Sequence, residues 1–319
     1  MDRRHFMTCA ASSLMIAAAP PPAARSEAAD ELHVLEYNKR RRFARLPQGN
    51  VAYVEAGAGC AVLFLHGFPL NGFQWRHAIE RLAPYRRCIA PDFLAMGHTQ
   101  VAPGQGVGPQ DQAEMIVSLL DALGVRQADI IANDSGGAVA QLIAARYGDR
   151  VRSLLLTNCD SAIESPPAAL APVLELSRRG EFADGWLGKW HKDPTLARSP
   201  QGIGGMCYSD PANPTDAAID FYFAPLLASP GRKALVHQYA LALERNPLEP
   251  AEPELRRSKV PVRIVWGEAD AIFSVDGARH IDRTFPNSKG LRLIPGRKLF
   301  WPEEDSGLIA EEALGLWGT

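Results

Sequence analysis

Apolar positions in this chain follow two rhythms. Short aliphatic runs predict strands, and segments with an apolar residue at every third or fourth position predict helices. Residues 42–46 and 50–55 flank the turn Pro47-Gln48-Gly49 and predict an antiparallel hairpin. Residues 61–65 are apolar throughout, as a strand covered on both faces must be. A helix over 74–82, with Trp75, Ala78, Ile79 and Leu82 at helical spacing, and a strand over 88–90 follow. Then come a helix over 111–123, a strand over 128–133, a helix over 138–147 and a strand over 151–157. This β-α-β-α order requires a parallel sheet with helices on both faces and right-handed crossovers. Between 160 and 254 no strand-like run occurs, and helical pieces rich in Pro, Trp and Tyr predict an inserted helical cap. The pattern resumes with a strand over 262–266, a helix over 276–285, a strand over 291–294 and a last helix over 306–317.

Residues 1–30 stand outside this alternation. A basic lead, Asp2-Arg3-Arg4-His5-Phe6-Met7, precedes an apolar run over 7–19 broken only by Thr8, Ser12 and Ser13, too short to span a bilayer as a helix. Arg3-Arg4, one residue, then Phe6-Met7 resembles a twin-arginine export signal, which predicts a periplasmic or secreted protein. The expected division is thus an export segment over 1–30, an α/β core over 31–159 and 255–319, and a cap over 160–254.

Composition narrows the partners. The 319 residues include 34 Lys and Arg against 36 Asp and Glu, a formal net charge of -2, with 46% apolar residues. No broad cationic field is available to a phosphate backbone, so nucleic acid is not an expected partner. Five cysteines are scattered without a C-x-x-C pair and set no disulfide framework. Neither H-E-x-x-H nor a clustered Cys/His spacing occurs, so no metal or other cofactor is expected. Gly104, Gly106 and Gly108 lack the long preceding strand and the Gly-Lys-Ser/Thr ending of a phosphate loop and are read as a surface connection. The expected partner is a small-molecule substrate; the oligomeric state stays open.

In an open α/β sheet the ligand sits beyond the carboxyl ends of the strands, so the loops after Leu65, Ala90, Asn133, Thr157 and Trp266 are the places to search. The loop Ala132-Asn133-Asp134-Ser135-Gly136-Gly137 joins a strand directly to a helix. Such a bend needs small residues two before and two after its central residue, whose side chain is pushed above the sheet. With Asp134 central the flanks are Ala132 and Gly136; with Ser135 central they are Asn133 and Gly137, and Asn133 crowds the bend. The steric rule favours Asp134, while Asp134 as a plain helix N-cap remains the bland alternative.

With these residues the chain resembles the α/β-hydrolase superfamily, in its aspartate-nucleophile branch of haloalkane dehalogenases and epoxide hydrolases. The marks are His66-Gly67-Phe68-Pro69, Asp92, the elbow around Asp134, and Trp266-Gly267-Glu268-Ala269-Asp270. The resemblance implies a mostly parallel eight-stranded sheet with an inserted helical cap. It also implies that Asp134 attacks an sp3 carbon to form an ester, with the Phe68 and Ser135 N–H groups facing the developing charge. Asp270 matches the acid that orients the histidine base. The histidine itself is missing, because Leu299 occupies its place in Gly296-Arg297-Lys298-Leu299-Phe300. His98 is the candidate replacement, with Lys298 or Glu303 as others. His66 is read chiefly as a loop brace and secondarily as a substrate contact, and Tyr208, Tyr222 and Tyr239 are candidate cap donors to a leaving oxygen. Trp186, Trp190 and 221–223 are read first as cap core, a few lining the cavity. Two alternatives stay open: a Ser135 esterase or lactonase, and a ligand-binding relative with impaired turnover.

Overall fold

The computed structural model describes residues 27–319. The twin-arginine-like pattern lies outside the described residues. Nine strands form one sheet: β1 (Arg41–Leu46), β2 (Gly49–Ala56), β3 (Ala61–Leu65), β4 (Arg87–Pro91), β5 (Gln100–Val101), β6 (Ala128–Asp134), β7 (Val151–Cys159), β8 (Val262–Gly267) and β9 (Ser288–Ile294). Their order is β1-β2-β4-β3-β6-β7-β8-β9, and the two-residue β5 pairs with β2 beside this path. β2 runs antiparallel to β1 and β4, and every pair from β4 to β9 is parallel. β3 and β6, in the middle, are buried at every position. The unbroken apolar run of β3, and the aliphatic stretch Ile130-Ile131-Ala132 of β6, follow from that double cover.

The helices before the cap are α1 (Glu27–Arg40), α2 (Arg76–Leu82), α3 (Pro109–Ala122) and α4 (Ser135–Arg146). The cap is helical: α5 (Ala171–Arg178), α6 (Gly188–Lys192), α7 (Pro194–Arg198), α8 (Ile203–Cys207), α9 (Asp216–Leu227) and α10 (Pro230–Ala242). The chain returns to the core through α11 (Glu252–Leu255), α12 (Val275–Thr284), α13 (Trp301–Glu304) and α14 (Ser306–Trp317).

The expected boundary at residue 30 falls inside α1, where Asp30 is 2% exposed. Its carboxylate accepts hydrogen bonds from the Arg76 guanidinium at 3.0 to 3.2 Å and from Thr215 Oγ1 at 2.7 Å. Tyr37, on the same helix, packs edge-on against Phe73 and Phe221. Arg76 also donates to Glu303 Oε1 at 2.6 Å, and Glu303 accepts from Tyr208 Oη at 2.7 Å. A buried charge is tolerated only when paired, and this cluster joins α1, α2, α13 and the cap.

Candidate active site

The residues around the elbow leave the backbone little choice. Asp134 has φ 54° and ψ −134°, and Ala95 is the other non-glycine with positive φ among the described residues. Holding a residue there costs about 1–3 kcal/mol and is sustained by its surroundings. A Cβ at Gly136 would meet the carbonyl oxygens of Leu65 and His66 at 2.5 and 2.6 Å, and one at Gly137 would strike the Cys159 side chain. Only glycines let α4 start this close to β3 and β7. The bend lifts the Asp134 carboxyl above the sheet, where Oδ2 accepts the Phe68 N–H at 2.7 Å and the Ser135 N–H bonds the same group.

Behind the bend, a chain of amide side chains holds the loops in place. The Gly67 N–H donates to Gln74 Oε1 (2.9 Å), Gln74 Nε2 to Asn133 Oδ1 (2.7 Å), and Asn133 Nδ2 to the Leu299 carbonyl (3.0 Å). Asn158 donates to Asp270 Oδ2 at 2.8 Å and accepts from the Gly267 N–H and Trp301 Nε1. Each of these buried amides is satisfied, which fixes where Asp134, Asp270 and Leu299 stand.

The Asp134 carboxyl opens into a cavity of about 140 Å³ between sheet and cap. Phe68, Val173, Phe182, Trp186, Trp190, Ile203, Met206, Leu243, Ile272, Phe273, Leu299 and Phe300 make its wall apolar. Asp134, Ser135, Asp160 and the Cys207 thiol are the polar groups on that wall. Burial, the neighbouring Asp160 and Asp270 charges push the Asp134 carboxyl well above the ordinary carboxylate range, against the hydrogen bonds from Phe68 and Ser135. Burial likewise raises Asp160 to about 7 and Asp270 to about 6. Asp270 does not line the cavity; it sits behind Ile272 and Phe273, accepting the Ile272 N–H at 2.8 Å.

Six further candidates lie elsewhere. His98 does not line the cavity: its ring packs against Phe221, beside the Arg41 and Arg232 cations, and burial with those charges lowers it to about 4. The His98 backbone N–H serves Asp92, whose carboxylate also holds the Gly72 N–H. His66 has no nitrogen left for a substrate, since Nδ1 meets the Gly67 carbonyl and Nε2 accepts the Phe93 N–H at 3.0 Å. Tyr208 and Tyr222 direct their hydroxyls to Glu303 and stay out of the cavity. Lys298 donates to the Gly205 carbonyl and Glu303 is held by Arg76, so neither reaches the cavity. Trp186 and Trp190 line it, whereas Phe221, Tyr222 and Phe223 are cap core.

Asp160 and Cys207 were not picked out for this site by their sequence context, whereas Tyr239 was among the candidate cap donors. Asp160 follows β7, at one of the strand ends marked for search, and its position there was the available signal. The Tyr239 hydroxyl stands beside that of Ser135, both buried and otherwise unengaged. Nothing local to Cys207 marks it, because it comes from the cap.

Residues 61–303 match the family model described as alpha/beta hydrolase fold. A haloalkane dehalogenase of Mesorhizobium japonicum is 35% identical over 294 residues, 84% of this chain and 87% of that protein. Haloalkane dehalogenase 2 of Mycobacterium tuberculosis is 33% identical over 290 residues, covering 85% and 92%. Among solved structures, the haloalkane dehalogenase of Bradyrhizobium elkani superposes with a TM-score of 0.70 at 21% identity, over 87% of this chain and 97% of the other. An epoxide hydrolase superposes at 0.69 with 22% identity, over 87% and 98%. These likenesses in structure concern the fold.

Proposed function

Since the chain belongs to the α/β hydrolase fold family and is a dehalogenase-like hydrolase, we propose that Asp134 attacks an sp3 carbon of a small apolar haloalkane or epoxide. The observation that carries this reading is the Asp134 carboxyl on the floor of a predominantly apolar cavity, held by the Phe68 N–H at 2.7 Å. A cavity of ~150 Å³ accepts a molecule the size of benzene, so short alkyl or aryl substrates fit. Attack forms a carbon–oxygen bond to Asp134 and expels halide, or opens the epoxide to an alkoxide that takes a proton from the Ser135 hydroxyl or from water. The Phe68 and Ser135 N–H groups then face the ester oxygen, where they stabilise the tetrahedral intermediate of hydrolysis.

Water must still be activated, and Leu299, 3% exposed, offers only an isobutyl group. Asp160 takes the base's part: it lines the same cavity, and at about 7 a large fraction is ionised near neutrality. Its carboxylate removes a proton from water, the water oxygen attacks the ester carbonyl, and Asp134 is released with the alcohol. Because both carboxyls must be ionised, turnover rises with pH through and above neutrality.

The test is single-turnover hydrolysis in 18O-water with a short bromoalkane and a terminal epoxide, followed by peptide mass measurement. The expected result is a transient alkyl adduct and then 18O in the peptide holding Asp134. No adduct with either substrate from pH 6 to 9 overturns the reading; fluorophosphonate labelling lost in Ser135→Ala replaces it with a serine esterase. The reading includes export: Arg3→Lys with Arg4→Lys should leave the protein in the cytoplasm, and unchanged fractionation counts against it.

A further inference from the structure

Where α1 meets α2, two histidines stand between two carboxylates. Asp30 and His33 lie three apart on α1, and His77 and Glu80 three apart on α2. His33 Nδ1 is 3.5 Å and His77 Nε2 3.8 Å from Asp30 Oδ1. On the far side, His33 Nε2 is 3.4 Å and His77 Nδ1 3.8 Å from the Glu80 oxygens. The rings meet edge to face, 4.7 Å apart at 89°. One ligand atom from each of Asp30, His33 and His77 falls within 4.8 Å of the others.

A neutral imidazole has one N–H and one lone pair. Here all four ring nitrogens face carboxylate oxygens, which are acceptors. Each neutral ring therefore turns a lone pair toward negative charge, and the buried His33 Nδ1 has no hydrogen bond. We propose that Asp30, His33 and His77 bind a divalent transition ion of the zinc type, with Glu80 orienting both imidazoles. The Glu80 oxygens lie 3.4 and 3.8 Å from the outer nitrogens, so protons placed there would leave His33 Nδ1 and His77 Nε2 as lone pairs beside Asp30 Oδ1, the usual relation of a carboxylate to a metal-bound histidine. Ligands ~2.0–2.2 Å from a tetrahedral zinc lie about 3.3–3.5 Å from one another, so the 3.5 and 3.8 Å separations need only small side-chain adjustments. Although burial opposes its ionisation, Arg76, Thr215 and His77 hold the Asp30 carboxyl below its ordinary range, ready as a ligand. Asp30 and Glu303 together carry one more negative charge than Arg76 cancels, and the ion supplies the balance. The fourth position is left to water. The site joins two helices that are far apart in sequence, so no linear spacing announces it, and it clamps α1 onto the folded body independently of the chemistry at Asp134.

The test uses the full chain stripped of metal by a chelator and titrated with Zn2+ and Co2+ by calorimetry, absorption spectroscopy and thermal melting. The expected result is one equivalent bound and visible d–d bands from Co2+. Affinity should drop at least tenfold in His33→Ala and in His77→Ala, and by about tenfold in Glu80→Gln. Zn2+ should raise Tm in the parent protein but not in the double histidine variant, whose fold is checked by circular dichroism. Absence of stoichiometric binding, or binding unchanged in both histidine variants, overturns the proposal. So does a docking of α1 that tightens from pH 7 to 5 and ignores metal, since imidazolium protons would then fill the role.

Discussion

Two sets of buried carboxyls in this molecule are neutralised differently. Asp30 and Glu303 share the Arg76 guanidinium, 3% exposed, and Asp30 is held below its ordinary range. Among the described residues, Asp134, Asp160 and Asp270 have no cationic side chain bonded to any of them, and burial raises all three. The first set has its charge partly offset by a fixed partner and serves to join elements. The second cannot ionise fully without cost, so protons stay available where a substrate would sit. In this reading, the lack of a cation is what makes the second set reactive.

The comparison breaks most sharply at Asp134. Asp134→Asn should reduce turnover at least ~10³-fold with the fold retained, measured by halide or diol release alongside circular dichroism. Next is Arg76→Met, which should cost about 3–5 kcal/mol in urea unfolding because Asp30 and Glu303 would be left buried and unpaired. A loss under 1 kcal/mol would mean that the first set does not depend on its cation. Leu299→His supplies the second set with a cation and a base, and should speed ester hydrolysis by about 10²-fold in single-turnover assays. An unchanged rate there would separate Asp270 from position 299.

The smallest effect is on stability. A raised native pKa means that between pH 4 and 7 the folded Asp160 keeps a proton the unfolded chain has released, so stability falls as pH rises through about 7. Asp160→Asn removes that loss and should raise Tm by about 2–4 °C at pH 8. Below about pH 3 the gain should vanish, since both states are then protonated. A gain independent of pH would point to packing instead.

The α/β alternation was legible because strands covered on both faces are apolar along most of their length, as 61–65 and 130–132 are. Three departures share one cause. α1, drawn as part of a leader up to residue 30, has no apolar face to announce it and is held by Asp30 and Tyr37 reaching Arg76 and Phe221. The hydroxyls of Tyr208 and Tyr222 looked available to a substrate and are taken by Glu303, about 80 or more residues later in the chain. His98 stood in the right loop, yet its ring turns to Phe221 and not to the cavity.

What the amino-acid order decided by itself is the backbone: hydrophobic period sets the elements, and small residues at 132, 136 and 137 permit the bend that presents residue 134. It also decided that position 299 carries an isobutyl group. Which carboxyls gather around that bend, and whether a cation accompanies them, was decided only when the strands and cap packed together. Periodicity is a local property, whereas the direction and charge state of a buried polar side chain depend on partners brought near from distant parts of the chain.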